Sequence, residues 1–152
     1  ALGVLDIYVD ADACPVKNEI YKVADRYDLR VVLVANSFMR FPRGRAELVV
    51  VEKEYDSADD KLVELVGPGD IVVTGDFAVA ARCLDKGARA LGHRGREFTP
   101  DNVGDALATR HLLKQLREAG QMTGGPKPFV QKDRSLFLQK LDELVNAVRR
   151  NA

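Results

Sequence analysis

Apolar residues fall along this chain in two rhythms that alternate. Val4 to Val9 is a β-branched run suited to a strand, and Val16, Ile20, Val23 and Ala24 then recur at the spacing of one helix face. Two near-continuous apolar runs follow, Arg30 to Ala35 and Glu47 to Val51, each bounded by polar or Gly/Pro stretches, as expected of strands buried on both faces. Ala58 to Val66 reads as a helix ended by Gly67-Pro68-Gly69, and Ile71 to Thr74 as a fourth strand. Phe77 to Lys86 is a further helix with Gly87 at its end, and Ala88 to Leu91 a short fifth strand. After a polar loop come two amphipathic helices, near 101–119 and 133–150, with a Gly- and Pro-rich stretch between them.

Strands separated by helices give the fold class: α/β, three layers in the order α/β/α, around a mainly parallel sheet of four or five strands. The two C-terminal helices are expected to pack on that sheet, within a single domain spanning 1–152. One link strains the topology. Asn36 to Arg45 has no clear helical spacing and is short for a parallel crossover, which ordinarily takes about a dozen residues or more.

Composition changes this picture little. A chain of 152 residues with 46% apolar content can bury a core, so disorder is not a candidate. Lys plus Arg equals Asp plus Glu at 23 each, so any attraction to nucleic acid must come from local patches. Cys14 and Cys83 form no close pair and are expected as free thiols of a reducing cytoplasm. No segment approaches the ~20 apolar residues of a membrane span, and the first residues do not resemble a leader, so a soluble cytoplasmic protein without membrane contact is expected.

The acids carry the candidate chemistry. In a parallel sheet ligands bind beyond the carboxyl ends of the strands. Asp10 and Asp12 follow the first strand, Asp56 and Asp59 the third, and Asp76 the fourth, so all five map to that edge, whereas Asp6 and Asp70 map to the opposite one. If the strand geometry persists through Asp10-Ala11-Asp12, both carboxylates face one way, with Cα atoms roughly 6 to 7 Å apart. Asp56 or Ser57 suits a helix N-cap, with Asp59 in the first turn. Several carboxylates gathered at one place raise one another's pKa unless a cation neutralises them, and an all-oxygen set suits Mg²⁺ or Mn²⁺ better than zinc. Thr74 and Asn36, near strand ends, are candidates for polar contacts.

A phosphodiester partner would also need cations. Arg40-Phe41-Pro42-Arg43-Gly44-Arg45 interleaves an aromatic with arginines after the second strand, so a base could stack on Phe41 while Arg40, Arg43 and Arg45 meet phosphates. Arg94 and Arg96, flanking the site beside His93 after the fifth strand, form a second patch. Cys14-Pro15 opens a helix, but Pro15 suits a first helical turn and no His stands near Cys14 in sequence, so a nucleophilic thiol is the minority reading. Cys83 lies on an apolar helix face.

Together, Asp10-Ala11-Asp12-Ala13-Cys14-Pro15, Asp56-Ser57-Ala58-Asp59, Gly69-Asp70-Ile71-Val72-Val73-Thr74-Gly75-Asp76 and Thr123-Gly124-Gly125-Pro126 resemble the YaiI/YqxD family of small bacterial proteins, over nearly the whole chain. The resemblance implies a PIN-like fold, whose acidic pocket in active relatives binds Mg²⁺ or Mn²⁺ and hydrolyses RNA phosphodiesters. On that basis Asp10 and Asp76 match the acids after the first and fourth strands, Asp12, Asp56 and Asp59 match the family pattern, and single-stranded RNA or another nucleic acid is the expected partner. Two alternatives stand beside this nuclease reading. A haloacid-dehalogenase-like phosphatase would use Asp10 as nucleophile, although Ala13-Cys14-Pro15 lacks the Thr or Val such enzymes place there. A non-catalytic nucleic-acid-binding module would use the arginine patches alone.

Overall fold

The computed structural model describes residues 5–52, 57–118 and 128–151. Its strands are β1 (Asp6–Asp10), β2 (Arg30–Ala35), β3 (Ala46–Val50), β4 (Ile71–Val73), β5 (Arg89–Leu91) and β6 (Glu97–Phe98), in one sheet of order β3-β2-β1-β4-β5-β6. Every neighbouring pair is parallel except β5 and β6. The helices are α1 (Lys17–Tyr27), α2 (Ala58–Leu65), α3 (Phe77–Asp85), α4 (Pro100–Glu118) and α5 (Gln131–Arg150). The α/β class and the predominantly parallel sheet are as the apolar rhythm predicts.

Successive strand residues point to opposite faces, and the central strands are apolar on both. Ile7, Val9, Val31, Leu33, Ile71 and Val73 face one way, into a core shared with Ile20 and Val23 of α1 and Phe137, Leu141 and Val145 of α5. Tyr8, Val32, Val34 and Val72 face the other, against Leu62 of α2 and Val79 and Cys83 of α3. Val103 of α4 packs with Ala80, Ala90 and Phe98 beside α3. Continuous apolar strands are thus the signature of a sheet covered on both sides.

The doubtful link is parallel after all: β3 pairs with β2 from Val31↔Ala46 to Ala35↔Val50. No helix forms between them. Instead Met39 and Phe41 of the connecting segment pack against the core on the α1/α5 face. Two side chains do the covering that a crossover helix normally does, which lets a shorter segment close the unit on that face. β6 escaped the apolar pattern because two residues carry no periodicity. It exists as the return of a hairpin in which Gly92 N–H donates to Arg96 O at 2.9 Å, Gly95 adopts φ +89°, and Arg89 pairs with Glu97 at 2.8 Å.

The start of α5 is fastened beside the carboxyl edge of the sheet. The Asp133 carboxylate accepts from Val130 N–H at 3.0 Å, which begins the helix at Gln131, earlier than the predicted 133. Arg94 pairs with Asp133 at 3.0 Å, Arg134 donates to Pro15 O, and both guanidinium groups lie over the Phe129 ring, at 5.5 and 5.1 Å. Gly95 is required there, since a Cβ would come within 2.9 Å of Leu136. Among the described residues no helix is long and apolar enough to cross a membrane.

Phe137 is fully buried and joins α5 to the sheet. Phe137→Ala should therefore lower unfolding free energy by about 3–5 kcal/mol in a denaturant titration, and a loss below 1 kcal/mol, roughly, would show that α5 contributes little to the core.

Candidate functional site

The strand order reverses between β1 and β4. From β1 the chain moves outward through β2 to β3, and α2 then carries it back to β4 on the other side of β1. After β1 it turns to the α1 face, and after β4 to the α3 face. Connections departing in opposite directions leave a crevice at the carboxyl ends of these two strands, the usual ligand position in such sheets.

Asp10 ends β1 at this crevice and Thr74 immediately follows β4. Thr74 is 0% exposed, the one polar side chain among the described residues to be buried. Its Oγ1 donates to Asp10 Oδ2 at 3.0 Å and accepts from Asp76 N–H at 3.0 Å, so one hydroxyl ties the two strand exits together. Asp76 in turn caps α3: its Oδ1 accepts from Ala78 N–H at 2.8 Å and Val79 N–H at 3.3 Å. The signal for Thr74 was its position at a strand end directly before Gly75-Asp76.

Strand geometry does not persist through Asp12. β1 stops at Asp10, Ala11 is buried, and Asp12 enters a turn where its Oδ2 accepts from Asn36 N–H at 2.9 Å. Asp10 is therefore hydrogen-bonded toward β4 and Asp12 toward the exit of β2, and the two still act on each other as like charges. Asp59 lies in the first turn of α2, which Ser57 caps by accepting from Asp60 N–H at 3.0 Å. Asp60 pairs with Arg82 at 2.9 Å. Asp56 lies outside the described residues.

The charges of these acids converge. Burial raises the pKa of Asp10, opposed by the Thr74 hydrogen bond and reinforced by Asp59, Asp76 and Asp12. Burial likewise raises Asp59, reinforced by Asp76, opposed by Arg82, and reinforced further by the smaller effects of Asp60 and Asp12. Among the described residues neither Asp10, Asp12 nor Asp59 forms an ion pair with a Lys or Arg. Nor do any three His, Cys, Asp or Glu side chains among them stand as a group able to hold a metal ion. A divalent ion here would rest on one or two carboxylates and its own waters, the ordinary habit of Mg²⁺. Asn36 Oδ1, buried and without a hydrogen-bond partner beside Asp12, is a further oxygen of the kind such an ion or its waters would use.

His93 packs over Gly75, where a Cβ would come within 3.1 Å of its ring, and burial lowers its pKa, keeping the imidazole neutral. Both thiols are inert by comparison. Burial pushes Cys14 and Cys83 up to about 11, which leaves the nucleophilic reading of Cys14 without support.

The arginine patch after β2 is divided. Arg40 is exposed and follows the β2 exit closely, but Arg45 donates to Leu29 O at 3.1 Å and pairs with Asp25 and Asp28 at the amino edge. Arg43 precedes it in the same turn, because a parallel link must carry the chain back along the length of the sheet. Arg45 thus does not join the carboxylates, and Phe41 packs against the core. A groove at that amino edge, between Asp28, Arg30, Arg45 and Glu47, holds charges already paired with one another or with Asp6. Arg94 is engaged with Asp133 and Pro128 O, while Arg96 is exposed in the β5–β6 turn at the carboxyl edge.

Residues 8–147 match the family model described as "Uncharacterized BCR, YaiI/YqxD family". The chain belongs to the YaiI/YqxD family. A UPF0178 protein of Rhodospirillum centenum is 56% identical across 97% of this chain and 99% of its own length. One from Parvibaculum lavamentivorans is 55% identical (95% and 96% covered), and one from Brucella ovis 52% identical (95% and 91%). No solved structure matches this YaiI/YqxD chain. The family description names no reaction, so the chemistry must come from the site.

Two predictions follow from the geometry of this family member. Asp10 holds its proton at a pH where the unfolded chain has lost it, so stability falls as pH rises from about 4 through the folded-state value, and stays reduced above it. Asp10→Asn keeps an oxygen for Thr74 and removes the ionised charge; by circular dichroism its Tm should exceed that of wild type at pH 7, with the advantage gone near pH ~3. Thr74→Val should cost about 1–3 kcal/mol in denaturant unfolding, since Asp10 Oδ2 and Asp76 N–H both lose a partner, while Thr74→Ser should recover most of it.

Proposed function

We propose that this protein is a metal-dependent nuclease of PIN-like type, hydrolysing phosphodiester bonds in RNA with Mg²⁺ or Mn²⁺. One observation carries the reading: a half-buried Asp10 at the strand-order reversal, pressed by the charges of Asp59, Asp76 and Asp12 and paired with no cationic side chain among the described residues. Purely structural acids are placed to cap, to pair or to meet solvent. Asp10 is held by a buried hydroxyl at a crevice where ligands bind, in an environment that penalises its charge.

Asp10 and Asp12 would hold the ion through direct and water-mediated contacts, with Asp59 and Asp76 supplying further negative charge and Asn36 Oδ1 a neutral oxygen. A bound Mg²⁺ or Mn²⁺ supplies neutralisation of these carboxylates and of the phosphate, and polarises the phosphoryl oxygen. The protein's own part is positional. Thr74 keeps Asp10 Oδ2 occupied, which leaves Oδ1 to face the ion or its waters and to orient an attacking water. Asp76 is fixed at the rim by the first turn of α3.

Wild type and Asp10→Asn offered single-stranded RNA with Mn²⁺ test this. Cleavage should require the metal and fall about 10²- to 10⁴-fold in the variant, and Mn²⁺ should raise the Tm of wild type but not of Asp10→Asn. Equal background in both proteins, with no Mn²⁺-dependent Tm shift, would remove the enzyme claim, and an aspartyl-phosphate trapped on Asp10 would replace it with the phosphatase reading.

A further inference from the structure

Phe38 is 74% exposed, the most exposed large apolar side chain among the described residues. The segment after β2 alternates in burial: Met39 and Phe41 are turned into the core, while Phe38 and Arg40 are exposed. Packing therefore accounts for every second residue and leaves these two unexplained. Their place in the fold is specific. Asn36, whose N–H holds the Asp12 carboxylate, is two residues before Phe38, a reach of about 7 Å at most along the backbone. Val50, 47% exposed, pairs with Ala35 at the end of β3 and so belongs to the same edge. Arg40 has no ion-pair partner among the described residues, unlike Arg45 and Arg94.

An aromatic ring open to water beside an unpaired guanidinium matches the chemistry of an unpaired nucleotide, which presents an apolar base face and a phosphate together. A protein partner is less well matched, because an interface core needs contiguous apolar surface and Phe38 is the one exposed large apolar side chain along this segment. Bases inside a duplex are stacked on their neighbours and offer no free face. We propose that Phe38 is the stacking platform for one unpaired base of the substrate, with Arg40 on the adjoining phosphate, and that this pair makes the protein select single strands over duplex. The inference rests on the nuclease reading for the identity of the substrate and adds the residues that choose its form.

The test is fluorescence anisotropy with a labelled single-stranded oligoribonucleotide and with its duplex, in Ca²⁺, alongside a separate cleavage assay in Mn²⁺. Wild type should prefer the single strand. Phe38→Ala should weaken that binding about 5- to 150-fold with an unchanged Tm, Phe38→Trp should retain it, and duplex binding should move in neither. Arg40→Ala should reduce the slope of log affinity against log salt by about 1. Phe38→Ala binding as tightly as wild type, a wild type that takes duplex equally well, or no detectable binding of the single strand would overturn the proposal. Cleavage with Phe38-independent binding would leave the nuclease standing and remove the platform; Phe38-dependent binding without cleavage would do the reverse.

Discussion

The Thr74 hydroxyl sits where β1 and β4 leave the sheet for opposite faces, and it is hydrogen-bonded to both exits. Because it is buried, both bonds are shielded from water and neither can be surrendered cheaply. The orientation of Asp10 depends on it, and so does the turn that lets Asp76 reach the first amides of α3. The crevice is thus built from backbone topology and one side chain, before any carboxylate contributes chemistry.

What the carboxylates add is an imbalance. Several acids elsewhere among the described residues meet cationic partners: Asp142 meets Arg26, Asp6 meets Arg30, Asp60 meets Arg82 and Asp133 meets Arg94. At the crevice Asp10 and Asp12 meet a hydroxyl and an amide, and they face Asp59 and Asp76 as like charges. Hydrogen bonds of this kind orient a carboxylate without cancelling its charge. A net-neutral protein that gathers carboxylates at one edge of its sheet creates a local field that a mobile cation can satisfy.

The segment between β2 and β3 shows how one stretch serves fold and surface together. Running antiparallel to the strands it joins, it must return from the carboxyl to the amino edge, and Met39 and Phe41 bind it to the core on the way. Alternation then obliges Phe38 and Arg40 to face outward, Phe38 soon after the carboxyl edge, while Arg45 is committed to the amino edge. An arginine patch that is continuous in sequence is divided in space by the length of the sheet.

The chain's own order of residues determined the layers. Apolar runs such as Val31 to Val34 and the helical spacing of Ile20 and Val23 depend on local periodicity, and local periodicity survives folding. It also determined that Asp10, Asp59 and Asp76 share an edge, since every parallel strand ends on the same side. Family membership was equally visible, in Asp-Ala-Asp-Ala-Cys-Pro and the blocks after it. Tertiary structure alone decided that Asp10 and Asp12 lean toward different neighbours, that Thr74 links Asp10 to Asp76, that Phe38 rather than Phe41 meets solvent, and that Glu97-Phe98 returns as a strand. Each of those outcomes depends on which distant segment comes to lie alongside, and periodicity along one segment carries no record of its neighbours.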